Sequence, residues 1–341
     1  TSATLISRGG ERWLIDCGEG TQRQLLRSGI GLIDVDAIFL THLHGDHYLG
    51  LPGILKTYAL RERERPLVIV GPPGLVALFG ALRQVFGRVR FDLELREVEA
   101  GLAWESEGAR LEAFPTRHTV RSTGFALVES PRPGHFDVAA ARALGVPEGP
   151  AFGALQRGDP VRNADGDIVG PERVLGPPRA GRSVVLTGDT EPCPTTANAA
   201  RGASLLVHEA TFLEADRARA RETRHSTAAE AADLGRDADV ALLALTHLSS
   251  RCAPREIRAE ARSRFERVIV PRDFEQVEIP FPERGVPLVH DLRDQQRSDP
   301  SSTVSEPTGT FKNDSLKSVP SRPGRSCRPL SVFTSARPRA A

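Results

Sequence analysis

Residues 36–50 read DAIFLTHLHGDHYLG. AIFL is a short apolar run bounded by polar residues, the pattern of a buried strand. Directly after it come His42, His44, Asp46 and His47, in a chain with nine histidines. Residues two apart on an extended segment point to the same side, so His42 and His44 share a face. Gly45 permits a turn that would carry Asp46 and His47 round to the same space. Imidazole nitrogens with a carboxylate form a donor set that suits Zn²⁺. A lone histidine is usually structural, but four metal-capable groups in six positions after a strand read as metal binding.

One ion takes three or four protein ligands, so further donors are expected from elsewhere. Other apolar runs end in the same way: His118 follows LEAFPTR, Asp189 follows SVVLTG and His247 follows ALLALT. Taken singly, Asp189 reads equally well as a helix cap, and His118 or His247 as a hydrogen-bonded rim histidine. Their recurrence at strand ends is what joins them to the cluster.

The rest of the chain alternates strands with helical stretches, which implies α/β layers. Residues 12–20 (RWLIDCGEG) read as a hairpin running into the helix TQRQLLRSG. Helices are expected over Leu49–Leu60 and Leu75–Phe86, with Pro52 tolerated in a first turn. PLVIV (66–70), ARLEAFPTRH (109–118), TGFALVE (123–129), RSVVLTGD (182–189), ASLLVHEA (203–210), VALLALTH (240–247) and ERVIVPRD (266–273) read as strands. Residues 130–180 break this rhythm with many Pro and Gly and read as an insertion, apart from a short helix in FDVAAARALG (136–145). Residues 291–341 are rich in Ser, Thr, Pro and Arg, hold two of the three lysines and carry no apolar period. They read as a disordered tail.

With 341 residues and a formal net charge of +1, a global field for nucleic acid is excluded. Affinity for RNA would have to come from local arginines. Arg61, Arg63 and Arg65 could touch phosphate or simply solvate a helix end. No stretch approaches the ~18 apolar residues of a membrane span. Cys17, Cys193, Cys252 and Cys327 form no C-x-x-C pair, and their spacing fits a reducing cytoplasm.

His42-x-His44-x-Asp46-His47, with His118, Asp189 and His247, resembles the metallo-β-lactamase superfamily over about residues 1–285. The resemblance implies a metallo-β-lactamase fold, an αββα sandwich, as one catalytic domain over residues 1–290. It implies two Zn²⁺ per subunit, with Mn²⁺ or Mg²⁺ as substitutes. His42, His44 and His118 would hold one ion, Asp46, His47 and His247 the other, and Asp189 would bridge them. Within the superfamily, DCGEGTQRQ (16–24), THLHGDHYLGLPG (41–53), HEATF (208–212), RHST (224–227) and THLSSR (246–251) resemble ribonuclease Z. Residues 130–161 resemble that family's flexible tRNA-gripping arm, with Gly149, Pro150, Arg132 and Arg142 as substrate-binding candidates and Arg157 beside them. The family also has a strand with a Leu-Gly-Thr-like stretch ahead of the point where this chain begins.

The implied activity is removal of the 3′ trailer of precursor tRNA by a zinc-dependent endonuclease. Two metals would bind a bridging hydroxide that attacks phosphorus, with Asp46 orienting or deprotonating it. His225 would protonate the leaving 3′ oxygen, oriented by Glu209. Helix capping is an alternative use for His225, although Ser226 or Thr227 would cap equally well. His208 would be a ligand's hydrogen-bond partner or simply buried. Precursor tRNA is the expected partner, in a homodimer, with no DNA and no membrane. Rival readings are a small-molecule phosphodiesterase of the same superfamily and a non-catalytic RNA-binding protein with a structural metal.

Overall fold

A computed structural model of the chain describes residues 2–28, 30–32, 35–292 and 330–335. The first strands are Ala3–Arg8 (β1), Glu11–Ile15 (β2), Ala37–Phe39 (β3), Leu67–Gly71 (β4) and Leu93–Glu97 (β5). β1 and β2 form a hairpin, and β2 to β5 run parallel. β3 and β4 are buried along their whole length, which explains their unbroken apolar sequences.

A second sheet begins with the antiparallel strands Gly101–Ser106 (β6), Ala109–Pro115 (β7) and Thr123–Glu129 (β8). The inserted hairpin Val161–Arg162 (β9) and Ile168–Val169 (β10) stands apart as its own small sheet. The second sheet then resumes with Ser183–Leu186 (β11), Leu205–Glu209 (β12), Leu243–Thr246 (β13) and Val268–Ile269 (β14). β11 pairs antiparallel with β8 and parallel with β12. Glu275–Glu278 (β15), Leu288–Asp291 (β16) and Leu330–Ser335 (β17) return to the first sheet, in the order β16-β15-β17-β1-β2-β3-β4-β5.

The sheets face each other across a core that includes Ile6, Trp13, Phe39, Phe125, Leu127 and Val184. Phe39 and Phe125 meet edge to face at 5.5 Å across it. Helices Leu51–Leu60 and Leu75–Phe86 cover the outer face of the first sheet, and helices Ala228–Asp237 and Pro254–Arg262 cover the second. The result is the αββα sandwich that the metallo-β-lactamase resemblance implied.

Several expectations need correction. The stretch 92–106 carries β5 and β6, which the sequence pattern did not flag. The tail reading fails at Leu330–Ser335, which inserts between β1 and β15 with Leu330 and Val332 fully buried. The remainder of the expected tail, residues 293–329 and 336–341, lies outside the described residues. The arm extends past residue 161, because Val169 and Val174 belong to the same small core as Ala141 and Leu155.

Candidate metal centre

Strand ends from both sheets converge on one rim. Asp16 follows β2, Thr41 and His42 follow β3, His118 follows β7, Asp189 follows β11, and His247 follows β13. Glu209 ends β12. The rim closes because two glycines let backbones approach. A Cβ on Gly50 would lie 2.1 Å from the carbonyl oxygen of Gly18. Gly188, at φ 62°, would drive a Cβ to 2.6 Å from that of Thr41.

His42 and His44 share a face as their spacing requires, with His42 Nε2 3.0 Å from His44 Nδ1. The change of direction after them is a single helical turn, Gly45–Tyr48, and Gly45 does not use the left-handed conformation open to glycine. That turn carries Asp46 and His47 back towards His42, whose ring centroid is 4.0 Å from that of His47. His118 Nε2 approaches His44 Nδ1 at 3.2 Å. Asp189 Oδ2 lies 3.7 Å from His42 Nε2, 3.5 Å from His47 Nε2 and 3.2 Å from His247 Nε2. Asp46 Oδ2 is 3.5 Å from both His47 Nε2 and His247 Nε2.

These separations fit shared cations. Two donors on one tetrahedral ion at ~2.1 Å sit ~3.4 Å apart. His42, His44 and His118 form one compact trio, Asp46, His47 and His247 another, and Asp189 stands with His42 and His47 between them. The electrostatics agree. Among the described residues, His47 Nε2 is buried with no hydrogen-bond partner, a costly arrangement without a ligand. Burial, with His47 beside it, pushes the His42 ring down to about 2, so it is a bare donor near neutral pH. Burial opposes charge on Asp189 as well, but His247, His47 and His42 hold its carboxyl far below the usual carboxylate range.

A second set of contacts aims these donors. Asp16 accepts from His47 Nδ1 at 2.7 Å and from Thr41 N at 2.8 Å, which turns His47 Nε2 inward. Sequence reading did not assign Asp16, although RWLID ends in a carboxylate just as SVVLTGD does. Thr211 Oγ1 lies 2.8 Å from His247 Nδ1, and the Arg224 carbonyl 3.0 Å from His118 Nδ1.

His225 stands at the edge of the cluster, its ring stacked on His247 at 5.2 Å. Its Nδ1 is 2.7 Å from Glu209 Oε1. Glu209 is itself fixed by Thr190 N at 2.7 Å, Thr211 Oγ1 at 2.7 Å and Ser226 N at 3.1 Å. Thr227 caps helix Ala228–Asp237 through a capping box with Glu230, so the cap does not use His225. His225 also lies within ligand distance of His118 and Asp189, and of Glu209 and His247.

Residues 1–175 match the family model for the metallo-beta-lactamase superfamily. A ribonuclease Z from Haloferax volcanii is 46% identical over 285 residues, covering 82% of this chain and 90% of its own length. Another from Methanosarcina acetivorans is 43% identical over 285 residues, covering 82% of this chain and 92% of its own. The chain belongs to the ribonuclease Z family. A solved structure of human tRNase Z, short form, is also similar, with a TM-score of 0.56 at 25% identity over 85% of this chain and 92% of that one. Superfamily membership implies a divalent metal, which the donor trios fit.

Elsewhere in this ribonuclease Z family member, several candidate residues are occupied by the fold. His208 is fully buried, belongs to none of the donor groups and has Nδ1 2.7 Å from the Glu209 carbonyl. Arg63 donates to the carbonyls of Val35, Arg65 and Pro66 and lies over the Tyr58 ring at 4.8 Å. Arg65 pairs with Asp36, while Arg61 caps helix Leu51–Leu60 through its backbone. In the arm, Gly149 at φ 101° and Pro150 start helix Pro150–Arg157. Arg142 pairs with Glu148 at 2.7 Å on the arm's surface, and exposed Arg157 lies 3.6 Å from Asp159. Arg132, expected to contact RNA, has its side chain held by the body of the protein. It pairs with Glu283 at 2.9 Å and lies 3.4 Å over the Phe281 ring. Among the described residues, no helix is long and apolar enough to cross a membrane.

Proposed function

We propose that the chain is a zinc-dependent endoribonuclease that hydrolyses precursor tRNA at its 3′ trailer and leaves a 3′-hydroxyl on the tRNA. The observation that carries this reading is the pairing of Glu209 with His225 beside a seven-donor cluster, in a member of the ribonuclease Z family. His42, His44 and His118 would hold one ion and Asp46, His47 and His247 a second, with Asp189 within reach of both groups. The imidazole-rich donor set favours zinc over Mg²⁺ or Mn²⁺. Bound there, the ions supply positive charge to the scissile phosphate and make water a stronger acid.

The chain's own groups do the rest. Asp46 is the most open carboxylate of the set, with its side chain 45% exposed, and it orients the attacking water and takes its proton. His225 gives a proton to the departing 3′ oxygen, while the Glu209 carboxylate fixes its ring. Gly149, Pro150 and Arg142 contact RNA through shape and backbone rather than base edges.

The assembly is a homodimer in which one subunit's arm serves the other's centre. The arm's root at the far end of β8 from the histidines supports that arrangement. A cytoplasmic location is supported by Cys17, Cys193 and Cys252, which are buried and unpaired.

Cleavage-site mapping on precursor tRNA tests the reading. The expected product ends in a 3′-hydroxyl beside the discriminator base. Asp46→Ala is expected to abolish that product while leaving the circular-dichroism spectrum unchanged. Undiminished cleavage by this variant would remove the mechanism.

A further inference from the structure

The arm is a lobe with its own core. Ala141, Val146, Leu155, Val169 and Val174 are buried together, with Phe136 and Phe152 packed 5.0 Å apart against them. The lobe leaves the body through a two-stranded neck. Arg132 and Arg179 exchange backbone hydrogen bonds of 2.8 and 2.9 Å there. Just inside, Gly134 passes so close that a Cβ would lie 2.0 Å from the Gly176 carbonyl oxygen. Beyond the neck, a cleft of about 850 Å³ opens between the lobe (Gly153, Arg157) and the body (Gly108, Arg284). A lobe with its own core, a narrow attachment and open space along its flank has little besides its neck to set its direction.

One carboxylate of the body engages both neck strands. Glu283 Oε2 accepts from Arg132 Nη2 at 2.9 Å, and Glu283 Oε1 accepts from Arg179 Nη1 at 3.1 Å. Its neighbour Phe281 is buried, with the Arg132 guanidinium 3.4 Å and the Arg182 guanidinium 4.3 Å from its ring centre. Arg132 also donates to the Ala180 carbonyl, and Arg179 to the Pro133 carbonyl, so each arginine ties one neck strand to the other. The side chains of Arg132, Arg179 and Glu283 are each about a third exposed or less. A single exposed ion pair is worth little. Two arginines on one carboxylate, one of them stacked on a buried ring, form a small network with a fixed geometry.

We infer that Glu283 is a positioning residue that clamps Arg132 and Arg179 and so sets the direction in which the arm meets its RNA. The clamp lies at the Glu129 end of β8, and the donor cluster lies at the Thr123 end. Seven strand residues place the two ~20 Å apart. A substrate that touches both the arm and the metal centre must match that fixed span. This inference rests on the proposed reading that the arm grips RNA.

It also reverses the expected role of Arg132. If Arg132 and Arg179 contacted phosphate, removing Glu283 would release them and tighten RNA binding. A clamp predicts the opposite sign.

The test compares the full-length chain with Glu283→Ala and Glu283→Asp. For Glu283→Ala, KM for precursor tRNA is expected to rise about five-fold. kcat should stay within about two-fold, and hydrolysis of bis(p-nitrophenyl) phosphate should be unchanged, because the chemistry is intact. Glu283→Asp should recover part of the KM. Hydrogen exchange should quicken at the neck amides of Arg132, Gly134, His135, Arg179, Ala180 and Gly181, and stay slow in the lobe around Leu155 and Val174. An unaltered or lowered KM overturns the positioning role, and unaltered exchange at the neck overturns the clamp. If the wild-type chain cuts no precursor tRNA, the functional reading fails and the exchange result alone decides the clamp.

Discussion

The two ends of β8 handle buried charge in opposite ways. At the Thr123 end, Thr123 N donates to the Thr41 carbonyl beside a cluster of histidines and carboxylates that press on one another. Among the described residues, His47 Nε2 has no hydrogen-bond partner, and His42 is forced neutral. At the Glu129 end, the carboxylate receives Arg182 Nε at 2.7 Å, Arg182 Nη2 at 2.7 Å and Arg8 Nε at 2.8 Å. Glu129, Arg182 and Arg8 all find partners within the protein. The first end is complete only with an added cation, and the second is complete as folded. A buried cluster left short of partners marks chemistry, whereas a closed one marks architecture.

Perturbing each end should separate these roles. The largest effect is expected from His225→Ala, which removes the candidate acid together with its contacts to Glu209 and Phe212. Cleavage should fall by about 10²–10⁴-fold with no change in melting temperature. Activity within a few-fold of wild type would show that another group protonates the leaving oxygen.

Next comes Asp16→Ala, which frees the His47 ring. Zinc affinity by competition with a chelator should weaken by about 10–100-fold. Unchanged affinity would mean that burial alone aims His47.

Glu129→Ala addresses the other end and takes from buried Arg182 and Arg8 the carboxylate they share, leaving Arg8 its pair with Glu11. It should cost about 3–5 kcal/mol of stability in denaturant, while kcat per folded molecule stays close to wild type. The pH dependence follows the same pair. Burial raises the Glu129 carboxyl, but Arg182 and Arg8 outweigh it and hold the group below its ordinary range. Its contribution is therefore complete above about pH 5 and is lost as pH falls through the folded-state value. Wild type should lose this stability in acid, and the variant, which never had it, should show a flatter profile. Equal acid profiles would show that the pair contributes nothing net.

Much of the centre was legible in the chain because the pattern is local. An apolar run gives a strand, and the residue after it lies at that strand's end, so His42, His118, Asp189 and His247 could be placed on a rim before any fold was known. Asp16 obeyed the same rule. It went unassigned because a carboxylate at a turn has commoner uses than aiming an imidazole. The β17 strand was hidden for a different reason. LSVFTS is six residues inside a polar, Pro-rich stretch, and what makes it a strand is the slot between β1 and β15 rather than its own propensity.

By itself, the sequence determined the donor types, their spacing and their strand ends, since these depend on neighbours a few residues apart. Only the tertiary structure decided which charges meet. Glu129 finds Arg8 across 121 positions, and Arg132 finds Glu283 across 151. No periodicity spans such distances. Those pairings arise when two sheets pack face to face and bring remote segments to the same edge.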